Sequence, residues 1–155
     1  MKKLALILLV ITATFASCSK TDNATPFDAA AQAATDDATI QAYLSTNSLT
    51  ATKDASGLYY QIVTQGTGVN PTASSTISVN YSGKYTDGTI FDHGTLTQYK
   101  LSNLITGWII GLPYVKNGGR IILYLPSALG YGHTPSNGSR ADAVMIFTID
   151  LTGVQ

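Results

Sequence analysis

The 155-residue sequence is poor in the residues that build covalent cross-links, metal centres and charged surfaces. It contains one cysteine, Cys18, and two histidines. A lone cysteine cannot form an internal disulfide, and this set leaves too few ligands for a structural or catalytic zinc site. Basic and acidic residues number nine each, so the net charge is zero. Because no basic cluster accompanies the aromatic residues, nucleic-acid binding has no electrostatic basis.

Long apolar runs are also missing after the first residues. Residues 4–11 are apolar, follow a positively charged start, and are too short to cross a membrane as a stable helix. The run leads to Phe15-Ala16-Ser17-Cys18, which resembles the lipobox of bacterial lipoproteins, where cleavage leaves the cysteine as a lipidated N-terminus. We therefore expect a signal peptide over residues 1–17, lipid attachment at Cys18, a polar tether over residues 18–27, and a location in the cell envelope. An ordinary secretory signal with an incidental cysteine is the alternative.

Residues 28–50 are predicted to form an N-terminal helical segment. Thr35-Asp36-Asp37 offers a helix start. The apolar residues that follow it, Ile40, Tyr43 and Leu44, share one helical face. This pattern is typical of a helix that packs against the following domain. A dimerisation arm, which would make the protein a homodimer, is the alternative.

From residue 51 the pattern changes to that of a sheet. Alternating apolar residues predict strands over residues 58–63, 77–85, 89–92, 120–125 and 144–151, with a further short strand at 99–101. Asp87-Gly88 predicts a hairpin turn, and the four-residue spacing of Leu104, Trp108 and Leu112 predicts one short helix. We expect an α+β domain over residues 51–155, in which an antiparallel twisted sheet wraps on that helix. Gly66-Thr67-Gly68 interrupts the strand pattern. It is not a phosphate loop, because a third glycine and a following helix are missing.

Four motifs follow one another within this domain. They are Ile77-Ser78-Val79-Asn80-Tyr81-Ser82-Gly83, Asp87-Gly88-Thr89-Ile90-Phe91-Asp92, Leu104-Ile105-Thr106-Gly107-Trp108 and Gly130-Tyr131-Gly132. In this order and spacing they resemble the FK506-binding-protein (FKBP) family of peptidyl-prolyl isomerases over residues 57–151. The resemblance implies an FKBP-like fold and cis-trans isomerisation of X-Pro bonds in unfolded or flexible polypeptides. Such chemistry requires no metal and no cofactor.

The same resemblance assigns an aromatic pocket. Trp108 would form its floor, and Tyr81, Phe91 and Phe147 its walls. Asp92 would be a buried polar wall residue whose carboxylate accepts a hydrogen bond from the Tyr81 hydroxyl, since a buried carboxylate must be hydrogen-bonded. A strand-end aspartate in solvent is the alternative.

Further contacts to substrate come from the segments around the pocket. Tyr131 would donate its hydroxyl to a substrate carbonyl, Ile105 would donate its backbone amide, and Leu104 would line the rim. His133, two residues beyond Tyr131, is expected at the mouth of the site, with a solvated loop histidine as the alternative.

Two segments depart from the pattern of the family. Residues 93–98 are short and lack an arginine that would brace the pocket carboxylate, and Ser139-Arg140-Ala141-Asp142-Ala143 lacks an aliphatic cap. These differences favour a second hypothesis, an FKBP-like binding module or chaperone for proline-containing segments with negligible turnover. A third is a surface lipoprotein whose nine tyrosines stack on sugars.

Overall fold

The computed structural model describes residues 26–155, so the predicted signal peptide, most of the tether and Cys18 lie outside the described residues. Six strands form one antiparallel sheet in the order β1-β2-β5-β6-β3-β4. Their bounds are β1 Thr52–Lys53, β2 Tyr59–Thr64, β3 Thr76–Tyr85, β4 Ile90–Lys100, β5 Arg120–Leu125 and β6 Met145–Val154. The helices are α1 Ala29–Thr46 and α2 Thr106–Gly111, and α2 continues as a 3-10 turn over Leu112–Tyr114. The predicted α+β fold is confirmed.

The central strands carry apolar side chains on both faces of the sheet. Along β5, Ile121, Leu123 and Leu125 belong to the main core with Trp108 of α2. Tyr124, in contrast, packs with Ile40 of α1. Because successive strand side chains point to opposite faces, α1 and α2 cover opposite faces of one sheet. The N-terminal helix is therefore built into the fold, and among residues 26–155 no helix is long and apolar enough to cross a lipid bilayer.

Helix α1 begins earlier than the sequence pattern predicted. The Asp28 side chain accepts hydrogen bonds from the Ala30 and Ala31 amides and caps the helix at Ala29. Thr35-Asp36-Asp37 therefore lies inside the helix, and the prediction that it starts the helix is wrong. Both aspartates instead bond to residues distant in sequence: Asp36 to Ser127, and Asp37 to Tyr59.

Strand β4 is longer than predicted and lies at the edge of the sheet. The two short strands expected at residues 89–92 and 99–101 are parts of one strand, Ile90–Lys100, whose one partner among residues 26–155 is β3. Most of its residues are exposed. Edge position and exposure on both faces remove the alternation on which the prediction relied.

Candidate functional site

The register of three strands sets one wall of the candidate site. Tyr81 of β3 lies opposite Ile149 of β6, and Gly83 lies opposite both Phe147 of β6 and Asp92 of β4. Directly opposed residues of an antiparallel pair point to the same face of the sheet. This places Tyr81, Phe147 and Asp92 together on the face that α2 covers.

Gly83 lets two aromatic rings meet over β3. A Cβ atom at Gly83 would lie 2.7 Å from the Phe147 ring and 2.8 Å from the Phe91 ring, closer than real Cβ contacts allow. The two rings cross edge-to-face, with centroids 5.5 Å apart. Phe91 also meets the Tyr131 ring at 6.5 Å. The glycine in the first sequence motif is therefore required by the aromatic packing behind the site.

Helix α2 supplies the floor. Trp108 is only 3% exposed, and its ring meets those of Tyr81 and Phe147 edge-to-face, with centroids 5.2 and 5.3 Å away. Trp108 also lines a cavity. This cavity has a volume of about 80 Å³ and is lined by Tyr81, Asp92, Leu96, Leu104, Ile105, Trp108, Tyr131 and Phe147.

Asp92 provides the charge and the main hydrogen-bond acceptor of the cavity. The Tyr81 hydroxyl donates to Asp92 Oδ2 at 3.0 Å, as predicted. Burial, followed by this hydrogen bond and the charge of Asp92, raises the pKa of Tyr81 to about 12. Burial and then the charge of Asp92 also raise the pKa of Tyr131. Both hydroxyls thus keep their protons at neutral pH, and Tyr131 offers a donor to the cavity.

Two predictions about the pocket carboxylate and its neighbours need correction. Asp92 was expected to be buried, but it is exposed at the mouth of the cavity, because β4 is the edge strand of the sheet that residues 26–155 form. Phe91 is not among the lining side chains and instead supports Phe147 and Tyr131 from behind.

The structure does not bring His133 to this cavity. Its ring stacks on Phe27, with centroids 4.0 Å apart, and its Nδ1 lies 2.7 Å from Asp142 Oδ2. The chain turns at Gly132, which has a φ of +70°, and this turn directs His133 away from Tyr131. His133 lines a different and larger cavity of about 390 Å³ between α1 and the 127–133 loop. The smaller cavity remains the candidate site because the aromatic floor and the polar groups converge there.

Leu96 also lines the cavity, although none of the sequence motifs includes it. It stands opposite Val79 of β3, two register positions from the Tyr81–Gly94 pair. Leu96 is the only aliphatic residue between Asp92 and Gln98. That isolated aliphatic side chain was the signal available in the sequence.

Tyrosines with raised pKa values predict a loss of stability at alkaline pH. Burial is the first cause of the raised pKa values of Tyr59, Tyr81, Tyr114, Tyr124 and Tyr131. Between pH 10.0 and about 12 the unfolded chain loses the Tyr81 proton while the folded protein keeps it. The folded state then binds more protons, so stability falls as pH rises. We expect urea midpoints to decline above about pH 10, and less steeply in Tyr81→Phe.

The control for this pH dependence is Tyr99→Phe, at a position that is 43% exposed. It should follow the parent curve. A Tyr81→Phe curve that also follows the parent throughout the alkaline range would contradict the assignment to Tyr81.

The geometry defines a class of protein: a curved antiparallel sheet that holds an aromatic cavity over a buried tryptophan, with hydroxyl and carboxylate groups at its edge. A sequence model of the family described as FKBP-type peptidyl-prolyl cis-trans isomerase matches residues 68–152. The chain belongs to this family.

Known relatives agree with this placement. The chain is 36% identical over 104 residues to the FKBP-type isomerase FkpA of Aeromonas hydrophila, an alignment that covers 64% of this chain and 39% of that protein. The crystal structure of FkpA from Escherichia coli superposes with a TM-score of 0.70 at 32% identity, over 81% of this chain and 62% of that one. A peptidyl-prolyl isomerase from Pseudomonas syringae gives a TM-score of 0.67 at 26% identity, over 84% and 98%. The chain thus spans about two fifths of the length of the curated FkpA relatives.

Proposed function

We propose that the protein is a peptidyl-prolyl cis-trans isomerase that assists the folding of exported proteins. The observation that carries the proposal is the cavity over Trp108, in which an aromatic floor, the Tyr131 hydroxyl and the Tyr81–Asp92 pair converge. The substrates are X-Pro bonds of unfolded or flexible polypeptides. The 51–155 region carries the site.

The chemistry is a rotation and breaks no covalent bond. A planar amide is held by resonance behind a barrier of roughly 18–20 kcal/mol, and uncatalysed X-Pro isomerisation takes tens to hundreds of seconds. The catalyst must bind the twisted bond better than either planar form. The twisted carbonyl carries less charge than the planar one, so an apolar cavity favours it relative to water.

Each lining group has a role in that scheme. The proline ring stacks on the Trp108 indole, between Tyr81 and Phe147. Tyr131 donates to a substrate carbonyl, and Ile105 donates its backbone amide, which makes no hydrogen bond to any of residues 26–155. Leu104 and Leu96 form the apolar rim that selects an apolar residue before the proline.

The decisive experiment measures the cis-to-trans rate of a short Leu-Pro peptide in the presence of protein that begins at Ser19. A rate that rises in proportion to protein concentration supports the proposal. A folded protein that leaves the rate unchanged contradicts it.

A binding module is the second candidate function, and two observations favour it: the cavity is only about 80 Å³, and Asp92 is exposed at its mouth. A module of this kind would hold proline-containing segments without turnover. Prolyl peptides would then shift the fluorescence of Trp108, the only tryptophan, in a saturable way while the isomerisation rate stays at its uncatalysed value.

We also propose that Cys18 carries lipid and anchors the protein in the cell envelope, with residues 18–27 as the tether. The pattern Phe15-Ala16-Ser17-Cys18 after a short apolar run supports this. In cells, Cys18→Ser is expected to move the protein from the membrane fraction to the soluble fraction. The same membrane association in Cys18→Ser and parent would contradict the anchor.

A further inference from the structure

Asp36 is a buried carboxylate in the middle of helix α1. The residue is 2% exposed, although charged side chains are almost never buried to this degree unless they are paired. Its Oδ1 accepts a hydrogen bond from Gln32 Nε2 at 2.8 Å. Its Oδ2 accepts two hydrogen bonds from Ser127, from the backbone amide at 2.8 Å and from the hydroxyl at 2.7 Å. One oxygen of the carboxylate thus bonds within α1, and the other bonds to a residue that lies 91 positions further along the chain.

Ser127 in turn holds the loop that carries Tyr131. It follows β5 and Pro126 and opens a 3-10 turn over Ser127–Leu129. Its carbonyl accepts hydrogen bonds from the Gly130 amide at 3.0 Å and the Gly132 amide at 2.9 Å. These two glycines flank Tyr131 on either side. Hydrogen bonds thus connect Asp36 to the amide and hydroxyl of Ser127, and the carbonyl of Ser127 to the backbone on either side of Tyr131.

The buried apolar residues of α1 pack against the sheet and not against this loop. The apolar face of α1 contacts the sheet through Ile40 and Leu44. On the side of α1 that faces the loop, the two are separated by the cavity of about 390 Å³, which Asp36 and Ser127 both line. Phe27, which precedes α1, stacks on His133 of the loop, but the Asp36–Ser127 contact is the buried and hydrogen-bonded connection between the helix and the loop.

We infer that Asp36 is a positioning residue for isomerisation, and that α1 acts on the reaction by fixing the loop from which Tyr131 reaches substrate. The inference rests on the proposed function. Asp36 does not line the cavity over Trp108 and acts only through Ser127. The hydrogen bonds at Ser127 determine how well the Tyr131 hydroxyl is placed. Because small displacements of a catalytic group reduce the rate strongly, loss of these bonds should lower the isomerisation rate.

The test is a double-mutant cycle of Asp36→Ala and Tyr131→Phe, with kcat/KM for a Leu-Pro peptide as the readout. Tyr131→Phe should lower kcat/KM about fivefold, which is the effect of removing one hydrogen bond. Asp36→Ala alone should lower kcat/KM about threefold. When it is added to Tyr131→Phe it should lower kcat/KM by almost nothing, because the hydroxyl that Asp36 positions is then absent. Losses that multiply in the double variant would overturn the inference. Asp36→Asn keeps an oxygen that can accept both Ser127 bonds, so it should restore parent activity.

Asp37→Ala is the matched control. Asp37 neighbours Asp36 on α1 and connects the helix to Tyr59 and Lys53 rather than to the loop. It should leave kcat/KM unchanged, and a loss equal to that of Asp36→Ala would overturn the inference. If Asp36→Ala does not fold, Ser127→Ala takes its place in the cycle, since it removes only the hydroxyl bond. A folded parent that shows no acceleration contradicts the proposed function itself, whereas an active parent unaffected by Asp36→Ala contradicts only the role of Asp36.

Discussion

Replacement of Trp108 by alanine is expected to return the isomerisation of a Leu-Pro peptide to its uncatalysed rate. The substitution removes the surface on which the proline ring would stack, and with it the edge-to-face contacts to Tyr81 and Phe147. Because Trp108 is 3% exposed, the variant should also lose about 3–5 kcal/mol of stability, as is typical of large-to-small core substitutions. Peptide kinetics together with urea unfolding separate the two effects.

Leu112→Ala is the control for the loss of stability. Leu112 is fully buried in the same core, directly after α2, and does not line the cavity. It should lose about 2–5 kcal/mol and keep the activity of the parent where it remains folded. Trp108→Phe should retain part of the acceleration, since a smaller aromatic floor remains. If folded Trp108→Ala accelerates the peptide as well as the parent does, the site is not over the indole.

The strands could be predicted from sequence where turn-forming residues and the alternation of apolar residues indicate the same boundaries. Strand β5 runs over Arg120–Leu125 as predicted, because a glycine turn precedes it, a proline follows it, and its side chains alternate between two buried faces. Strand β4 was predicted as two fragments because both of its faces are exposed. Edge strands carry little of the burial pattern that identifies a central strand.

The start of α1 shows a different limit. An aspartate pair after threonine is a reasonable helix cap, and the sequence contains nothing local that distinguishes a cap from a tertiary contact. Asp36 and Asp37 bond to partners 91 and 22 positions away. Only the folded chain brings those partners together, so the role of Asp36 could not be predicted from a local pattern.

The site residues were predicted through motifs, and the errors lie where motifs end. The cavity unites Tyr81, Leu104, Ile105, Trp108, Tyr131 and Phe147, and their roles toward substrate stay predictions. His133 follows a motif by one residue, and the turn at Gly132 takes it to the α1 side. Leu96 lies outside every motif, and the β3–β4 register determines its position.

Replacement of Gly66 by alanine, in the loop that joins β2 to β3, should strongly destabilise the fold. Gly66 has a φ of +74°, and a Cβ atom would lie 2.5 Å from the Asn117 carbonyl oxygen and 2.6 Å from that of Lys116. Those atoms are backbone, and the neighbouring Thr67 and Gly68 amides donate to Asn117, so the clash cannot be relieved by a side-chain rotation. A non-glycine residue in the left-handed region costs about 1–2 kcal/mol, and overpacking adds about 1–3 kcal/mol.

Gly118→Ala separates these two contributions within the same pair of loops. Gly118 has a φ of +83° and nothing within 4 Å of its Cβ position, so it should show the backbone strain alone. We therefore expect urea unfolding to give a loss of about 3 kcal/mol or more for Gly66→Ala and about 1–2 kcal/mol for Gly118→Ala. Equal losses would mean that the contact with residues 116–119 contributes nothing. A larger loss at Gly66 would mean that this glycine serves the fold, because it lets the β2–β3 loop pack against the turn that leads into β5.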